Sequence, residues 1–269
     1  MLKKRVIFTL LYDSGSFMFS RNFRLQKVGG FRWLRENYNF FHVAFSIDEL
    51  IVLDVTRGER DEDKFHECIQ FLTEECFIPI AAGGGIRTLE QARSLLNFGA
   101  DKIVVNTLLA QDSNIIAEIA KEFGQQSLVA SIDVKLKDKI PTVWNNNGSV
   151  EWKMNFSKVL SNIENLPIGE LYLNSMDRDG TGFGYQTEML DFIPNQFSVP
   201  VILAGGAGKY THFSDALQDE RVDAVATANL FNFIGDGLEV ARLNLLCDGY
   251  NLAEWNVELI SSLRNICAD

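Results

Sequence analysis

Apolar residues along the chain come in two kinds of run. Short, nearly continuous runs rich in Val, Ile and Leu fall near 5–11, 49–54, 78–82, 101–106, 127–133, 169–175, 200–204 and 222–227. Continuous rather than alternating apolarity predicts strands buried on both faces, as in a parallel sheet covered by helices. Between them, apolar residues recur every three or four positions, as in "DKFHECIQFLTEEC" (63–76), "TLEQARSLLNFG" (88–99) and "NIIAEIAKEFG" (114–124). That is the period of a helix with one apolar face. Eight such strand–helix units predict a closed (β/α)8 barrel. The aromatic-rich segment "FRWLRENYNFFHVAF" (31–45) reads as the first barrel helix, part of it free to touch a partner. "KDKIPTVWNNNGSVEW" (137–152) reads as a hairpin turning at "NNNG" after the fifth strand, and the residues past about 250 read as a C-terminal helix.

The pattern also repeats. "AAGGGI" (81–86) returns as "LAGGAG" (203–208), "IDELIVLD" (47–54) as "IGELYLNS" (168–175), and "RVIFTLL" (5–11) as "SLVASID" (127–133), each offset by 121 or 122 residues. Three matched offsets predict a duplicated half-barrel, with halves at about 1–122 and 123–250. No linker-like shift in composition separates them, so one domain is expected over 1–269.

Composition narrows the function. The 269 residues are 46% hydrophobic and 23% charged, an ordinary globular balance at a normal length for such a barrel. No apolar run approaches a membrane span, and "MLKKRVIF" has no secretory-signal pattern. Four cysteines without metal-type spacing suggest reduced, mostly buried thiols and a cytoplasmic protein. A net charge of −11 argues against a nucleic-acid partner, which needs a basic face. With three histidines and no clustered cysteines, no metal is expected, and no sequence feature calls for a cofactor. His66 and His212 fall in helical stretches without ligand partners, and His42 at a helix end.

Chemistry in a barrel of this kind sits where the strands end. Four features collect there: "AGGGIRT" with Gly84 and Gly85, "VVNT" with Asn106 and Thr107, "AGGAGKYTHF" with Gly206, and "ATAN" with Ala228 and Asn229. Glycines at a strand end let backbone N–H groups approach an anion, and the next helix adds its dipole. They equally permit a tight turn; their symmetric pairing beside Asn/Thr ends favours two anion sites on opposite sides of one mouth. Asp133, expected to end the fifth strand, is the candidate general acid or base. Asp54 is intermediate, and Asp177 reads as a structural carboxylate capping a helix or pairing with Arg178 or Lys135. At the opposite strand ends stand Arg5, Glu49, Lys102 and Glu170. They read either as separate solvated charges or as a mutually paired plug.

"ELIVLDV", "GGGIRTLEQA", "GADKIVVNT", "SIDVK", "NSMDRDGTGFGYQTEM" and "GGAGKYTHF" resemble, in order and spacing, the cyclase subunit of imidazole glycerol phosphate synthase over nearly the whole chain. The resemblance implies a TIM barrel that takes ammonia from a glutaminase subunit docked at its bottom. Ammonia would pass a gate of Arg5, Glu49, Lys102 and Glu170 and meet a bisphosphorylated substrate, or phosphate or sulfate, at the top. It implies Asp101 at the glutaminase interface, one phosphate on Gly84, Gly85, Asn106 and Thr107, and the other on Asp179, Gly180, Gly206, Ala228 and Asn229. It also exposes departures. The family's second catalytic aspartate is Asp133, but the first position holds Leu11, with Asp13 two residues on, and a loop lysine is replaced by Phe19. Leucine there resembles a branch associated with surface-polysaccharide genes, in which barrel and glutaminase supply ammonia to a sugar amidotransferase making an acetamidino group. The resemblance leaves three readings: that paralogue, an authentic histidine-pathway cyclase, and a non-catalytic ammonia conduit that activates the glutaminase.

Overall fold

The computed structural model describes residues 3–38, 43 and 45–254. Most of the second half of the expected first helix, His42 included, and the expected C-terminal helix from 255 onward lie outside the described residues; 251–254 are without regular structure. The chain runs β1 (Arg5–Asp13), β2 (Ser16–Arg21), β3 (Arg24–Gly29), α1 (Phe31–Asn37), β4 (Glu49–Asp54), α2 (Glu62–Glu75), β5 (Ile80–Gly83), α3 (Leu89–Asn97), β6 (Lys102–Val105), α4 (Leu108–Gln111) and α5 (Ser113–Phe123). It continues with β7 (Leu128–Lys137), β8 (Ile140–Asn145), β9 (Val150–Asn155), α6 (Phe156–Glu164), β10 (Glu170–Ser175), β11 (Val201–Ala204), α7 (Tyr210–Leu217), β12 (Val222–Thr227) and α8 (Gly237–Cys247). Eight parallel strands close on themselves in the order β1-β4-β5-β6-β7-β10-β11-β12, with β12 returning to β1 through Arg5–Phe8 against Ala224–Thr227. This is the predicted (β/α)8 TIM barrel. No described helix is long and apolar enough to cross a membrane.

Four of the eight described α-helices, α2, α3, α5 and α6, start where a side chain satisfies an early N–H group. Asp61 accepts from the Lys64 N–H ahead of α2, and Thr88 from the Gln91 N–H ahead of α3. Their apolar stripes, such as Phe65, Cys68, Ile69 and Leu72 on α2, pack on the outside of the barrel. The thiols of Cys68 and Cys76 are buried and that of Cys247 is exposed.

Alternation along the strands separates that outer layer from the lumen. Val6, Phe8 and Leu10 of β1 face the helices, whereas Ile7 joins Ile51, Ala81, Val104, Val129, Tyr172, Ile202 and Ala224 inside. The same period puts Arg5, Thr9 and Leu11 inward on β1, and Ser131 and Asp133 inward on β7. Within the lumen the Thr9 and Tyr172 hydroxyls meet at 3.2 Å.

One feature that the strand pattern hides occurs twice. β1 and β7, each the first strand of its half, overrun the barrel rim and fold back as three-stranded antiparallel meanders, β1-β2-β3 and β7-β8-β9. β7 therefore does not end at Asp133, as expected, but runs four residues further to Lys137, because β8 extends its ladder from Asp133↔Trp144 to Lys137↔Ile140. The expected hairpin is present, turning through Asn146, Asn147 and Gly148 at positive φ. The first hairpin docks across the mouth: the Asn22 N–H donates to the Asp179 carbonyl at 2.9 Å, and Phe19 meets Phe231 edge to face at 5.3 Å between centroids.

Docking needs Gly180, at φ +65°, where a Cβ would stand 1.9 Å from the Ser20 carbonyl oxygen. Gly180→Ala is expected to cost about 2 kcal/mol, from left-handed strain plus displacement of the hairpin. Denaturant unfolding together with limited proteolysis checks this: lower stability with new cleavage between 16 and 29 is expected, and unchanged stability with a protected hairpin would refute the docking.

Candidate functional site

At the floor of the barrel the four predicted charges form one closed circuit. Arg5 Nη1 lies 3.2 Å from Glu49 Oε2 and its Nη2 contacts Glu170 Oε1. Lys102 Nζ lies 2.8 Å from Glu49 Oε2 and 2.7 Å from Glu170 Oε2. Each acid thus meets both bases. The reading of them as separate solvated charges is overturned, because alternation turns all four side chains inward. Burial works against charge on Lys102, yet Glu49 and Glu170 outweigh it and hold its pKa above the ordinary value. Burial likewise opposes the ionised Glu170, but Arg5 and Lys102 grip both its oxygens and keep its pKa below the usual range. Glu49 goes the other way, raised by burial; its Oε1 is buried with no partner.

Asp101, just outside this ring, is exposed, and its Oδ2 accepts from the Ile80 N–H at 2.8 Å. Asp48 does the same for Val6 at 2.7 Å and Asp223 for Val201 at 2.9 Å. These carboxylates satisfy donors at the start of three barrel strands.

At the other end a cleft opens, lined by Leu11, Asp54, Gly84, Gly85, Asn106, Thr107, Asp133, Asp179, Gly180, Gly206, Ala228 and Asn229 among others. The structure therefore brings the predicted mouth residues together. Asp133 is nearly buried, with Oδ2 accepting from Asn106 Nδ2 at 3.1 Å and Oδ1 from Asn174 Nδ2 at 2.9 Å. Desolvation raises its pKa to about 6; the two amides pull it back and nearby Asp179 adds to the rise. A carboxyl poised there can give or take a proton near neutrality.

Leu11 stands on the strand diametrically opposite, 8% exposed. Asp13, the nearest substitute, is outside the cleft lining. Its Oδ1 accepts from Ser14 Oγ at 2.8 Å and Thr56 Oγ1 at 3.0 Å. Among the described residues, the carboxylates lining the mouth are Asp54, Asp133 and Asp179, and β1 contributes none.

Several predicted residues already have internal partners. Asn106 turns its amide toward Asp133, leaving its own Oδ1 buried without a partner. Asn229 Oδ1 accepts from the Phe231 and Asn232 N–H groups, closing the turn after β12. Asp179 accepts from Ser20 Oγ at 2.6 Å and the Phe23 N–H at 2.9 Å, so its side chain holds the first hairpin. Burial pushes its pKa up. Asp177 is structural as expected but through another partner. Instead of a helix cap, Arg178 or Lys135, it takes the Leu136 N–H at 2.8 Å, tying down the overrun of β7. Asp54 accepts from the Thr56 N–H at 2.9 Å and stands 3.4 Å from Arg60 Nε. The glycines fit a cradle: Gly84 and Gly85 lie at φ +122° and +74°, Gly206 at +112°, and any Cβ would strike neighbours.

Three residues that the sequence reading passed over also line the mouth: Arg57, Arg60 and Arg87. "VTRGERDED" (55–63) has the mixed charge of a solvated loop, so only two cations, three and six residues past the end of β4, could have flagged it.

Fold and site together define a (β/α)8 barrel whose ion-paired floor lies opposite a glycine-cradled mouth with a buried acid. A family model described as "Histidine biosynthesis protein" matches residues 40–235. A protein of Parasynechococcus marenigrum (strain WH8102), provisionally named imidazole glycerol phosphate synthase subunit hisF2, is 48% identical over 242 residues, 90% of each chain. Proteins named imidazole glycerol phosphate synthase subunit HisF from Pyrobaculum aerophilum (38% over 186 residues; 69% of this chain, 73% of that one) and Chlorobium limicola (33% over 234 residues; 87% and 92%) are also similar. The chain belongs to the HisF family, the cyclase-subunit family of imidazole glycerol phosphate synthase.

The raised pKa of Asp133 carries a stability signature. A carboxyl raised from 3.8 to about 6 favours the fold fully below its unfolded value and loses that advantage as pH climbs through 6. Relative to Asp133→Asn, the native chain should lose about 3 kcal/mol between pH 3.5 and pH 7.5. Urea unfolding of both chains across that range checks it; a pH-independent difference would contradict the assigned environment.

Proposed function

We propose that this chain is the synthase subunit of a glutamine amidotransferase, working as one domain in the cytoplasm. It takes ammonia from a glutaminase bound at the floor, through the ring of Arg5, Glu49, Lys102 and Glu170 and along the lumen. It delivers it to a phosphorylated or sugar-linked acceptor at the mouth, as a paralogue serving acetamidino-sugar formation in surface polysaccharide. One observation carries this reading: Asp133 is a burial-tuned acid, yet the strand facing it ends in Leu11 and no carboxylate from β1 enters the cleft. Cyclisation by an acid and a base across the mouth needs two such groups. Exposed Asp101, beside the ring, would then face the glutaminase. Gly84, Gly85, Thr107, Gly180, Gly206 and Ala228 would hold anionic groups of the acceptor through backbone N–H groups, with Asn106 and Asn229 shaping the cradle.

The names of the relatives favour a second reading, in which the chain is itself the histidine-pathway cyclase. One assay separates the two. The purified chain is incubated with ammonium and the bisphosphorylated histidine-pathway substrate, and imidazole product is quantified. The paralogue reading expects no turnover above background in the native chain or in Leu11→Ala. Robust turnover that Asp133→Asn abolishes would establish the cyclase reading.

A further inference from the structure

The half-barrel repeat predicts two like anion cradles, one after β5 and β6 and one after β11 and β12. The structure makes them unlike. Among the described residues, the cleft beside Gly180, Gly205, Gly206, Ala228 and Asn229 is lined by no cation, whereas the segments after β4 and β5 contribute Arg57, Arg60 and Arg87 to the lining. In a chain of net charge −11, the three cations among the described residues lining the cleft all follow β4 and β5, where Asp54 is the lining carboxylate.

Their packing leaves donors to spare. Arg60 lies flat against Gly85: a Cβ there would meet Arg60 Cδ at 2.9 Å, and Nε and Nη1 at 3.0 Å. The missing side chain lets a guanidinium and a backbone cradle share one place. Arg60 Nε is buried without a hydrogen-bond partner, since Asp54 Oδ2, 3.4 Å away, is an ion-pair neighbour only. Arg57 spends one Nη2 bond on the Phe23 carbonyl, at the turn of the docked hairpin, and Arg87 one Nη1 bond on the Ile86 carbonyl at 2.8 Å. Burial, and then the like charge of Arg60, push the Arg87 pKa down. Of the acids near this corner, Asp54 lines the cleft against Arg60, and Asp13 turns away toward Ser14 and Thr56. Glu59, Asp61, Glu62 and Asp63, between Arg57 and the first turn of α2, lie outside the cleft lining, with Asp61 paired to Lys64 and Glu62 accepting from Gln91 Nε2. Asp133 and Asp179 are held by Asn106, Asn174, Ser20 and the Phe23 N–H.

Backbone amides at a strand end suit a single phosphate, and a guanidinium fork takes two oxygens of another. We propose that this corner binds a diphosphate group, one phosphate on the Gly84–Gly85 backbone and the second between Arg57 and Arg60, so that the acceptor is a diphosphate ester. The inference rests on reading the mouth as the acceptor site. It adds which end of the acceptor lies over β4 and β5, and it gives Arg57 a second task of coupling that group to the hairpin lid.

Isothermal titration of the full chain with inorganic pyrophosphate and, separately, orthophosphate at one fixed ionic strength tests it. Pyrophosphate should bind at least about tenfold tighter, the increment expected from an added charge-assisted pair. Arg60→Gln should remove most of that advantage while leaving orthophosphate within about threefold, and Arg60→Lys should restore only part of it. Thermal melting without ligand reports whether each variant is folded. If Arg57→Gln releases the hairpin, Arg60→Gln still decides. Equal affinities, or a loss that falls equally on both anions, would overturn the proposal and leave the ammonia-transfer reading standing. A chain that holds pyrophosphate tightly yet passes no ammonia would sink that reading, and with it the acceptor assignment, and keep the diphosphate site.

Discussion

Four charges that none of the strands could bury alone hold the floor of this barrel together. Glu49 and Glu170 are among the most buried acids of the chain, and each meets both Arg5 and Lys102. Carboxylates so far removed from water would cost several kcal/mol apiece if left unpaired. Their pairing therefore requires that β1, β4, β6 and β10 all turn the same position inward. Because strand side chains alternate with period two, this one layer sets the phase of everything above it. Ile7, Ile51, Val104 and Tyr172 follow as an apolar layer, then Thr9, Leu53, Asn106 and Asn174, and Leu11 and Asp133 at the rim.

The rim depends on a second constraint. β1 and β7 each continue past the barrel into a meander, and these extensions, with the loop after β10, wall the cleft from solvent. Asp179 and Asp177 bind the two extensions through the Phe23 and Leu136 N–H groups. Walling lowers the local dielectric, which is why Asp133 titrates near 6 despite two amide donors. The same walls leave Leu11 facing a carboxyl it cannot exchange a proton with. Floor and mouth are thus chemically distinct: one is a balanced ion cluster, the other a tuned acid with a cationic corner.

Much of this was legible in the sequence, for identifiable reasons. Buried parallel strands are continuous in apolar residues, so all eight stand within a few positions of their expected places. The overrun of β7 was hidden because "VKLK" alternates and resembles loop, its pairing with β8 being a non-local fact. The engagement of Asn229 and Asp179 within the protein was equally out of reach, since sequence gives residue type at a strand end but not which neighbour uses its side chain. Arg57 and Arg60 read as a solvated run until Gly85 placed a guanidinium in the mouth.

The interlocking of the floor is the claim on which the rest stands, and a double-mutant cycle measures it most directly. Stability is determined for the native chain, Lys102→Met, Glu170→Gln and the pair. In a closed circuit each single change strands a buried opposite charge and costs about 3–5 kcal/mol, and the pair costs less than the sum by about 2 kcal/mol or more. Additivity within about 0.5 kcal/mol would show four independent charges and contradict the account.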